Sequence, residues 1–250
     1  MPKRLEHACL VGGAGLLGSA LAEGLAARGC CLSLCGLEEE ELAALAGSLE
    51  DRYAIQVSYR QLDVRDAEAL ANWIEARHQI APLDWLIINA GMVGIAEEGL
   101  LLESPARSAG LIATNLGGVL NALQPALPLF RGRPDARIVI VASASALIGF
   151  SKAPVYAATK AALRALFFSL RPQTRRAGIS LSIACPGFLI KPAGPGVATW
   201  RPFQISPAEA ARRILTAAAA GKAQILFPRR LFLLIRLLSL LPLSWRDRFI

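Results

Sequence analysis

The sequence is poor in histidine and in paired cysteines, and it contains no long uninterrupted apolar run. Only two histidines, His7 and His78, occur in 250 residues, so a histidine-rich metal site is not expected. None of the five cysteines belongs to a C-x-x-C pair. That pattern favours buried, reduced thiols and a cytoplasmic location over a disulfide framework. The chain also lacks low-complexity tracts and repeats of fixed period, which excludes a solenoid.

Acidic residues are fewer than basic ones, and the net charge is +8. Residues 222–250 contain six basic residues and one acid, so more than half of the net charge lies in this tail. The basic residues there do not alternate with aromatic residues as a base-stacking surface would require. We therefore expect no nucleic-acid partner.

Short apolar runs and longer amphipathic runs alternate along the chain, which is 54% hydrophobic. The short runs predict strands at 7–12, 30–35, 54–62, 84–89, 136–142, 179–185 and 223–227. The amphipathic runs predict helices at 16–28, 38–49, 66–78, 104–131, 154–177 and 207–220. This order predicts an α/β fold with a doubly wound parallel sheet of about seven strands, flanked by helices. Ligands are expected at the carboxyl ends of the strands.

A glycine-rich turn follows the first predicted strand. Gly12, Gly15 and Gly18 have the spacing G-x-x-G-x-x-G, and the first predicted helix begins within it at Leu16 and Leu17. Glycine lets the backbone approach a pyrophosphate closely, and amides at a helix start bind the anion. Three glycines can also form a simple turn, but this position between strand and helix predicts dinucleotide binding.

Two other strand ends carry residues suited to the same ligand. Asp63 and Val64 close the third predicted strand, where the carboxylate either binds an adenine amino group or caps the helix at 66–78. The run Asn89-Ala90-Gly91 ends the fourth strand, where small residues either admit a cofactor or form an ordinary turn. In both places we predict contact with the cofactor.

Tyr156 and Lys160 lie four residues apart in a predicted helix and therefore share one face. A nearby ammonium favours the phenolate and is expected to lower the tyrosine pKa from about 10. Ser143 ends the fifth predicted strand and can hold a substrate oxygen while Tyr156 transfers a proton. Asn115 lies in an apolar helical stretch, where it either binds a water that relays protons to Lys160 or is a satisfied buried amide.

These motifs, in this order, resemble those of the short-chain dehydrogenase/reductase family over residues 7 to about 227. The features that match are the glycine loop, Asp63, Asn89-Ala90-Gly91, Asn115, Ser143, Tyr156-x-x-x-Lys160 and Pro186-Gly187. The resemblance implies a Rossmann-like fold, with 1–227 as one dinucleotide-binding catalytic domain. It also implies hydride transfer with NAD or NADP, and a catalytic tetrad of Asn115, Ser143, Tyr156 and Lys160. Homodimers or homotetramers are implied as well. The expected function is the interconversion of a carbonyl and an alcohol.

The sequence departs from the family pattern at three places. The glycine spacing is similar to that of the longer branch, which modifies sugar nucleotides, but 250 residues leave little room for a separate substrate domain. After the second strand, Gly36 and Leu37 supply neither the acid typical of NAD enzymes nor the arginine typical of NADP enzymes, so both cofactors stay open. Lys191 stands near the site where the family often has a threonine.

Two other functions are compatible with part of the pattern. A cofactor-binding, membrane-peripheral scaffold or redox sensor fits the altered glycine loop, but it has no need of an aligned tyrosine and lysine. An epimerase or dehydratase acting on a nucleotide sugar rests only on the glycine spacing.

Residues 228–250 form a basic amphipathic tail. Arg229, Arg230 and Arg236 gather on one side of a helix predicted over 228–241, and arginines interrupt the apolar run before it could span a bilayer. The helix either lies on an anionic membrane surface or packs across the substrate mouth or a subunit interface. The apolar tail, together with four aromatic residues in predicted pocket loops, favours a lipophilic substrate. These aromatic residues are Phe150, Phe188, Trp200 and Phe203.

Overall fold

A computed structural model describes residues 5–97, 99–133, 135–190 and 203–246. Its sheet contains seven parallel strands in the order β3-β2-β1-β4-β5-β6-β7. The strands are β1 His7–Val11, β2 Cys31–Gly36, β3 Val57–Gln61, β4 Trp85–Ile88, β5 Arg137–Val141, β6 Ser180–Pro186 and β7 Gln224–Phe227. The predicted doubly wound parallel sheet is confirmed, and only Gly36 and Pro186 extend a strand beyond its predicted range.

Helices cover both faces of the sheet. They are α1 Leu16–Ala26, α2 Glu39–Tyr53, α3 Ala67–Ile80, α4 Pro105–Ile112, α5 Gly118–Phe130, α6 Pro154–Arg176, α7 Pro207–Ala219, α8 Arg229–Ser239 and α9 Leu243–Arg246. Local signals set several of the helix starts. Ser206, for example, caps α7 by accepting a hydrogen bond from the Glu209 amide at 3.2 Å, and serine is among the residues preferred at this position.

The core has two layers because alternate residues of each strand point to opposite faces of the sheet. In β4, Leu86 and Ile88 pack into one apolar cluster. Trp85 and Ile87, from the same strand, pack into the other. All four side chains are buried, as expected for a parallel sheet covered on both faces. This burial fixes the level at which the strands end, and with it the position of the loops that follow them.

The stretch predicted as one helix over 104–131 is divided in the structure, so that prediction was wrong in detail. A turn of π-helix, Ala113–Gly117, separates α4 from α5. Asn115 lies in this turn, and its side chain bonds to the backbone of Met92. The wider turn accommodates an inward-pointing amide, a local distortion that often marks functional sites.

The C-terminal tail packs on the fold through α8. The helix predicted from Pro228 begins one residue later, at Arg229, and Pro228 is its N-cap. Leu231 and Ile235 are buried against Ala144. Among the helices in the described ranges, none combines the length and apolarity needed to cross a bilayer.

Candidate active site

The ends of four neighbouring strands supply the site. Gly12 follows β1, Asn89 follows β4, Ser143 lies just after β5 and Pro186 ends β6. Because the strands are parallel and paired in register, their carboxyl ends meet at one edge of the sheet. The structure therefore brings together residues that are up to 174 positions apart in the sequence.

Two glycines of the first loop are required by close backbone contacts. Gly12 has a φ of +86°, and a Cβ there would lie 2.5 Å from the backbone nitrogen of Ala90. A Cβ on Gly18 would lie 2.1 Å from the carbonyl oxygen of Gly12. The Asn89 side-chain amide donates to that same carbonyl at 2.8 Å. The loop is thus held tightly against the end of β4, and Asn89 and Ala90 contribute to this packing.

The third glycine faces open space. A Cβ on Gly15 would meet no atom within 4 Å. Gly15 is also the N-cap of α1 and has no side chain that could bond to the first amides of the helix. Leu17 is buried and anchors the helix, while Leu16 is partly exposed. Open amides at a helix start form a cradle that fits a pyrophosphate.

The acid after β3 is engaged by a neighbouring arginine. Asp63 accepts hydrogen bonds from the Arg65 guanidinium, including one of 3.0 Å from Nε, and this holds the Asp63 pKa below its usual value. The alternative that Asp63 caps the next helix is wrong, because Asp66 caps α3 by accepting from Ala69 N at 2.9 Å. Val64 is buried, and its carbonyl accepts from Asn121 at 2.9 Å. Contact of Asp63 with adenine stays a prediction.

Asn115 is completely buried and fully engaged. Its Oδ1 accepts from Met92 N at 2.7 Å, and its Nδ2 donates to Met92 O at 3.0 Å and to Thr159 Oγ1 at 3.2 Å. A Cβ on Gly91 would lie 3.2 Å from both Asn115 Oδ1 and Lys160 Nζ. The amide oxygen and the ammonium therefore flank the same glycine. Asn115 is thus a buried amide with protein partners for both its oxygen and its nitrogen, and a relay to Lys160 stays a prediction.

Lys160 is 4% exposed, and its Nζ lies 3.4 Å from the carbonyl oxygen of Val141. Loss of hydration disfavours the charged form, so burial lowers the pKa of Lys160 to about 8. Its ammonium lies 5.8 Å from the centroid of the Tyr156 ring. The predicted placement of the two groups on one helix face is therefore observed.

Burial raises the pKa of Tyr156, and the neighbouring Ser143 hydroxyl offsets this only in part. The net lowering expected from Lys160 is therefore not observed in the protein alone, because desolvation of the phenolate dominates. Without a bound cofactor the phenol is protonated at neutral pH, which is the form of a general acid.

A cavity of about 510 Å³ lies between the loop after β5 and the helix α6. The loop 145–151, the first turns of α6 and Arg246 line it. Leu147, Ile148 and Phe150 make much of this wall apolar. The Ser145 hydroxyl is buried there without a hydrogen-bond partner in the described part of the chain. The cavity is a largely apolar space between the loop after β5 and α6, and neither Tyr156 nor Ser143 is among its lining residues.

Glu103 is a site residue that the sequence analysis missed. This carboxylate is 3% exposed and accepts from the backbone amides of Val155 and Tyr156, each at 3.1 Å. It caps the first turn of α6, whose own N-cap residue Ala153 makes no side-chain bond. No local pattern could reveal this contact, because Glu103 lies more than fifty positions before Tyr156.

The remaining predicted residues fall at the edges of the site. Gly36 ends β2, and Pro186 ends β6. Gly187 follows and packs under α8, where a Cβ would lie 2.7 Å from Leu231 Cδ2. Phe188 is partly buried and Phe203 is 41% exposed. The predictions for Lys191 and Trp200 lie outside the described residues.

The parallel sheet has a glycine cradle at one edge and a buried Tyr–Lys pair beside it. This combination is typical of one class of proteins, the dinucleotide-binding α/β oxidoreductases. A family model described as short chain dehydrogenase matches residues 6–195. The chain therefore belongs to the short-chain dehydrogenase/reductase family, as its motifs predict, and it is an oxidoreductase of that family.

Related sequences and solved structures agree with this assignment. An uncharacterized oxidoreductase of Mycobacterium tuberculosis is 31% identical over 188 residues, which cover 72% of each chain. A 3-dehydrosphinganine reductase of Arabidopsis thaliana is 30% identical over 189 residues, 74% of this chain and 56% of that protein. A short-chain dehydrogenase/reductase of Burkholderia phymatum, solved with NAD, superposes with a TM-score of 0.81 at 20% identity, covering 94% and 93% of the two chains. At that identity the last comparison shows the shared fold.

Proposed function

We propose that this protein interconverts a carbonyl and an alcohol with a nicotinamide cofactor, using Tyr156 as the acid and base. The observation that carries the proposal is the placement of the Tyr156 phenol. Ser143 acts on it from the end of β5, and the Nζ of the buried Lys160 lies 5.8 Å from its ring centroid. Solved relatives hold NAD or NADPH, including an actinorhodin polyketide ketoreductase with NADPH that superposes with a TM-score of 0.78. The homodimer or homotetramer implied by the motifs stays a prediction.

The site divides the work of the reaction among its residues. When bound, a reduced nicotinamide cofactor supplies a hydride to the carbonyl carbon. Ser143 holds the carbonyl oxygen, and Tyr156 donates its phenolic proton to that oxygen as it takes up the π electrons. Lys160 stabilises the phenolate left behind, and Asn115 holds the neighbouring backbone in place. In the reverse direction the phenolate removes the alcohol proton.

The same residues account for cofactor placement. The amides of the loop from Gly12 to Gly18 would bind the pyrophosphate, and Asp63 with Val64 would lie at the adenine. The run Asn89-Ala90-Gly91 and the pair Pro186-Gly187 would flank the nicotinamide half, and Lys160 would reach its ribose. The fit rests on the open space at Gly15 and on the tight contacts of Gly12 and Gly18.

The loop that follows Ser143 supports a lipophilic substrate. Leu147, Ile148 and Phe150 of this loop line an apolar cavity. The cysteines support a reducing cytoplasmic compartment, because all five are free thiols and four of them are buried.

Substitution of the phenol tests the proposed chemistry. We expect Tyr156→Phe to lower kcat by about 10²–10⁴-fold, because proton transfer is lost, while the Kd of the cofactor stays within about twofold. The measurement is oxidation of NADH and NADPH against a panel of medium-chain ketones and aldehydes. Tyr59→Phe, at a 42% exposed position on β3, is the control and should keep full activity. Undiminished kcat in the Tyr156 variant refutes the assignment. If the wild-type chain binds the cofactor but converts no substrate, the cofactor-binding scaffold is favoured.

Cofactor choice is expected to favour NAD. A carboxylate oxygen of Glu38 lies 3.9 Å from the point where a Cβ on Gly36 would be, and the Gly13 nitrogen lies at the same distance from that point. Negative charge at the end of β2 repels a 2′-phosphate. We expect kcat/KM to be at least about tenfold higher with NADH than with NADPH, and Glu38→Gln to reduce that ratio. Glu40→Gln, in the same helix start, is the matched control. Equal ratios in the wild type and the Glu38 variant would contradict this assignment.

A further inference from the structure

The helix α8 has two apolar sides, and only one of them is covered by the fold. On the covered side, Leu231 and Ile235 are each 6% exposed and contact Ala144. Leu231 also lies against Gly187. The helix is therefore anchored next to the ends of β5 and β6, and its orientation relative to the fold is fixed.

The opposite side of α8 presents leucines to solvent. Leu233, Leu237 and Leu240 are 61%, 54% and 78% exposed. They are spaced four and three residues apart, so they form one stripe along the helix. The helix α9 extends this apolar surface with Leu243 at 71% and Trp245 at 59% exposure. Large apolar side chains this exposed and this close together mark an interaction surface.

Basic side chains border the leucine stripe. Arg229, Arg230 and Arg236 are all exposed, and the helical repeat places them on both flanks of Leu233, Leu237 and Leu240. No acidic residue occurs between Lys222 and Arg246. The surface of α8 and α9 is therefore both apolar and uniformly positive.

We propose that this outer surface of α8 and α9 docks on an anionic phospholipid bilayer. Leucines at the boundary between headgroups and acyl chains bury their apolar area, and long arginine side chains reach the phosphates. Tryptophan is typical of the same interfacial zone. The eleven residues of α8 are too few to span a bilayer, so the helix lies in the plane of the membrane surface.

A second copy of the chain fits this surface less well. Closed dimers are usually two-fold symmetric, so the same patch of each subunit would meet its own copy. Pairing α8 with α8 would bring three arginines against three arginines, without an acid in either helix. Like charges that are removed from water repel strongly. An anionic lipid surface supplies the opposite charge.

Docking in this way would leave the inner side of α8 in its place beside Ala144, next to Ser143. The inference concerns binding alone, and it holds whether or not the chain proves active on any carbonyl.

Co-sedimentation with vesicles tests the proposal. The full-length chain is mixed with vesicles of phosphatidylcholine alone or with about 30% phosphatidylglycerol. We expect binding to the anionic vesicles, little binding to the neutral ones, and weakening in about 0.5 M salt. Replacing Leu233, Leu237 and Leu240 together by alanine should lower the partition coefficient at least about tenfold. Replacing Arg229, Arg230 and Arg236 by glutamine should lower it by about fivefold per arginine.

The chain offers matched controls for both sets of substitutions. Leu100, Leu101 and Leu102 are exposed to a similar extent, at 51%, 95% and 53%. Arg171, Arg175 and Arg176 are exposed near the end of α6. Alanine or glutamine at these control positions should leave vesicle binding unchanged, and thermal unfolding should show that every variant is folded.

Three outcomes would overturn the proposal. The first is equal binding to neutral and anionic vesicles, and the second is an equal loss of binding in the control variants. The third is an absence of vesicle binding together with a dimer that dissociates in the triple leucine variant, measured by light scattering. That result would assign the surface to a second copy of the chain.

Discussion

At the scale of single residues, the site contains an ionisable side chain that is buried away from water. Lys160 is almost completely buried, and its pKa falls from the ordinary 10.5 to about 8. The difference corresponds to about 3 kcal/mol of unfavourable free energy for the charged side chain in the folded chain. Within the described residues, the carbonyl oxygen of Val141 is the one acceptor at hydrogen-bonding distance from its Nζ. A residue selected for stability alone would be apolar here.

This leads to a prediction about stability and pH. We expect Lys160→Met to raise the free energy of unfolding at pH 7 by about 1–3 kcal/mol, while abolishing turnover. Between pH 8 and 10.5 the folded wild type binds fewer protons at Lys160 than the unfolded chain does, so its stability rises with pH in that window. The advantage of methionine should therefore shrink over the same range.

Urea unfolding of the cofactor-free proteins at pH 7 and near pH 10 measures this difference. Ionisations shared by the wild type and the variant cancel in the comparison. A methionine variant that is less stable than the wild type at pH 7 would show that contacts of the ammonium outweigh its desolvation.

At the scale of elements, the helix α6 depends on a partner from far along the chain. Its first turn carries Tyr156 and begins at Ala153-Pro154, a pair that offers no side-chain cap. Glu103 supplies the missing acceptor for two amides from a separate segment. The carboxylate is also favourably placed near the positive end of the helix dipole. The orientation of Tyr156 is therefore linked to the loop before α4.

We predict that this cap matters for activity as well as for stability. Glu103→Ala leaves two buried amides without their acceptor and should cost about 1–3 kcal/mol of unfolding free energy. Glu103→Gln keeps an acceptor oxygen and should cost less. Because the start of α6 positions Tyr156, kcat should fall in the alanine variant more than the Kd of the cofactor rises.

Ser206→Ala is the matched control, since Ser206 caps α7 in the same way. It should lower stability by about 1 kcal/mol with kcat unchanged. Comparable loss of kcat in both variants would mean that Glu103 acts only through general stability.

Element boundaries were largely predictable where local signals were strong. The seven strands and the capped start of α7 follow from apolar runs, serine and proline. The π-helical turn at Asn115 did not, because a periodic apolar pattern around an asparagine is equally compatible with a regular helix. The position of this turn is set by hydrogen bonds between the Asn115 side chain and the backbone of Met92, a residue of the loop after β4.

At the scale of the whole molecule, net charge and exposed apolar surface coincide at one place. More than half of the net positive charge of the sequence lies after residue 221, and the fold turns Leu233, Leu237 and Leu240 outward in the same region. Vesicle binding is a property of the whole molecule, because the way in which α8 packs on the fold decides which of its side chains can reach a membrane.

The sequence by itself determined the α/β class, the order of strands and helices, and the identity of the Tyr156 and Lys160 pair. These features depend on periodicity and on residues four positions apart, which are local properties of the chain. Tertiary structure decided that the phenol is protonated, that Glu103 caps α6, and which side of α8 faces water. Each of these depends on contacts between segments distant in the sequence, since burial and electrostatic surroundings exist only after the segments have packed together.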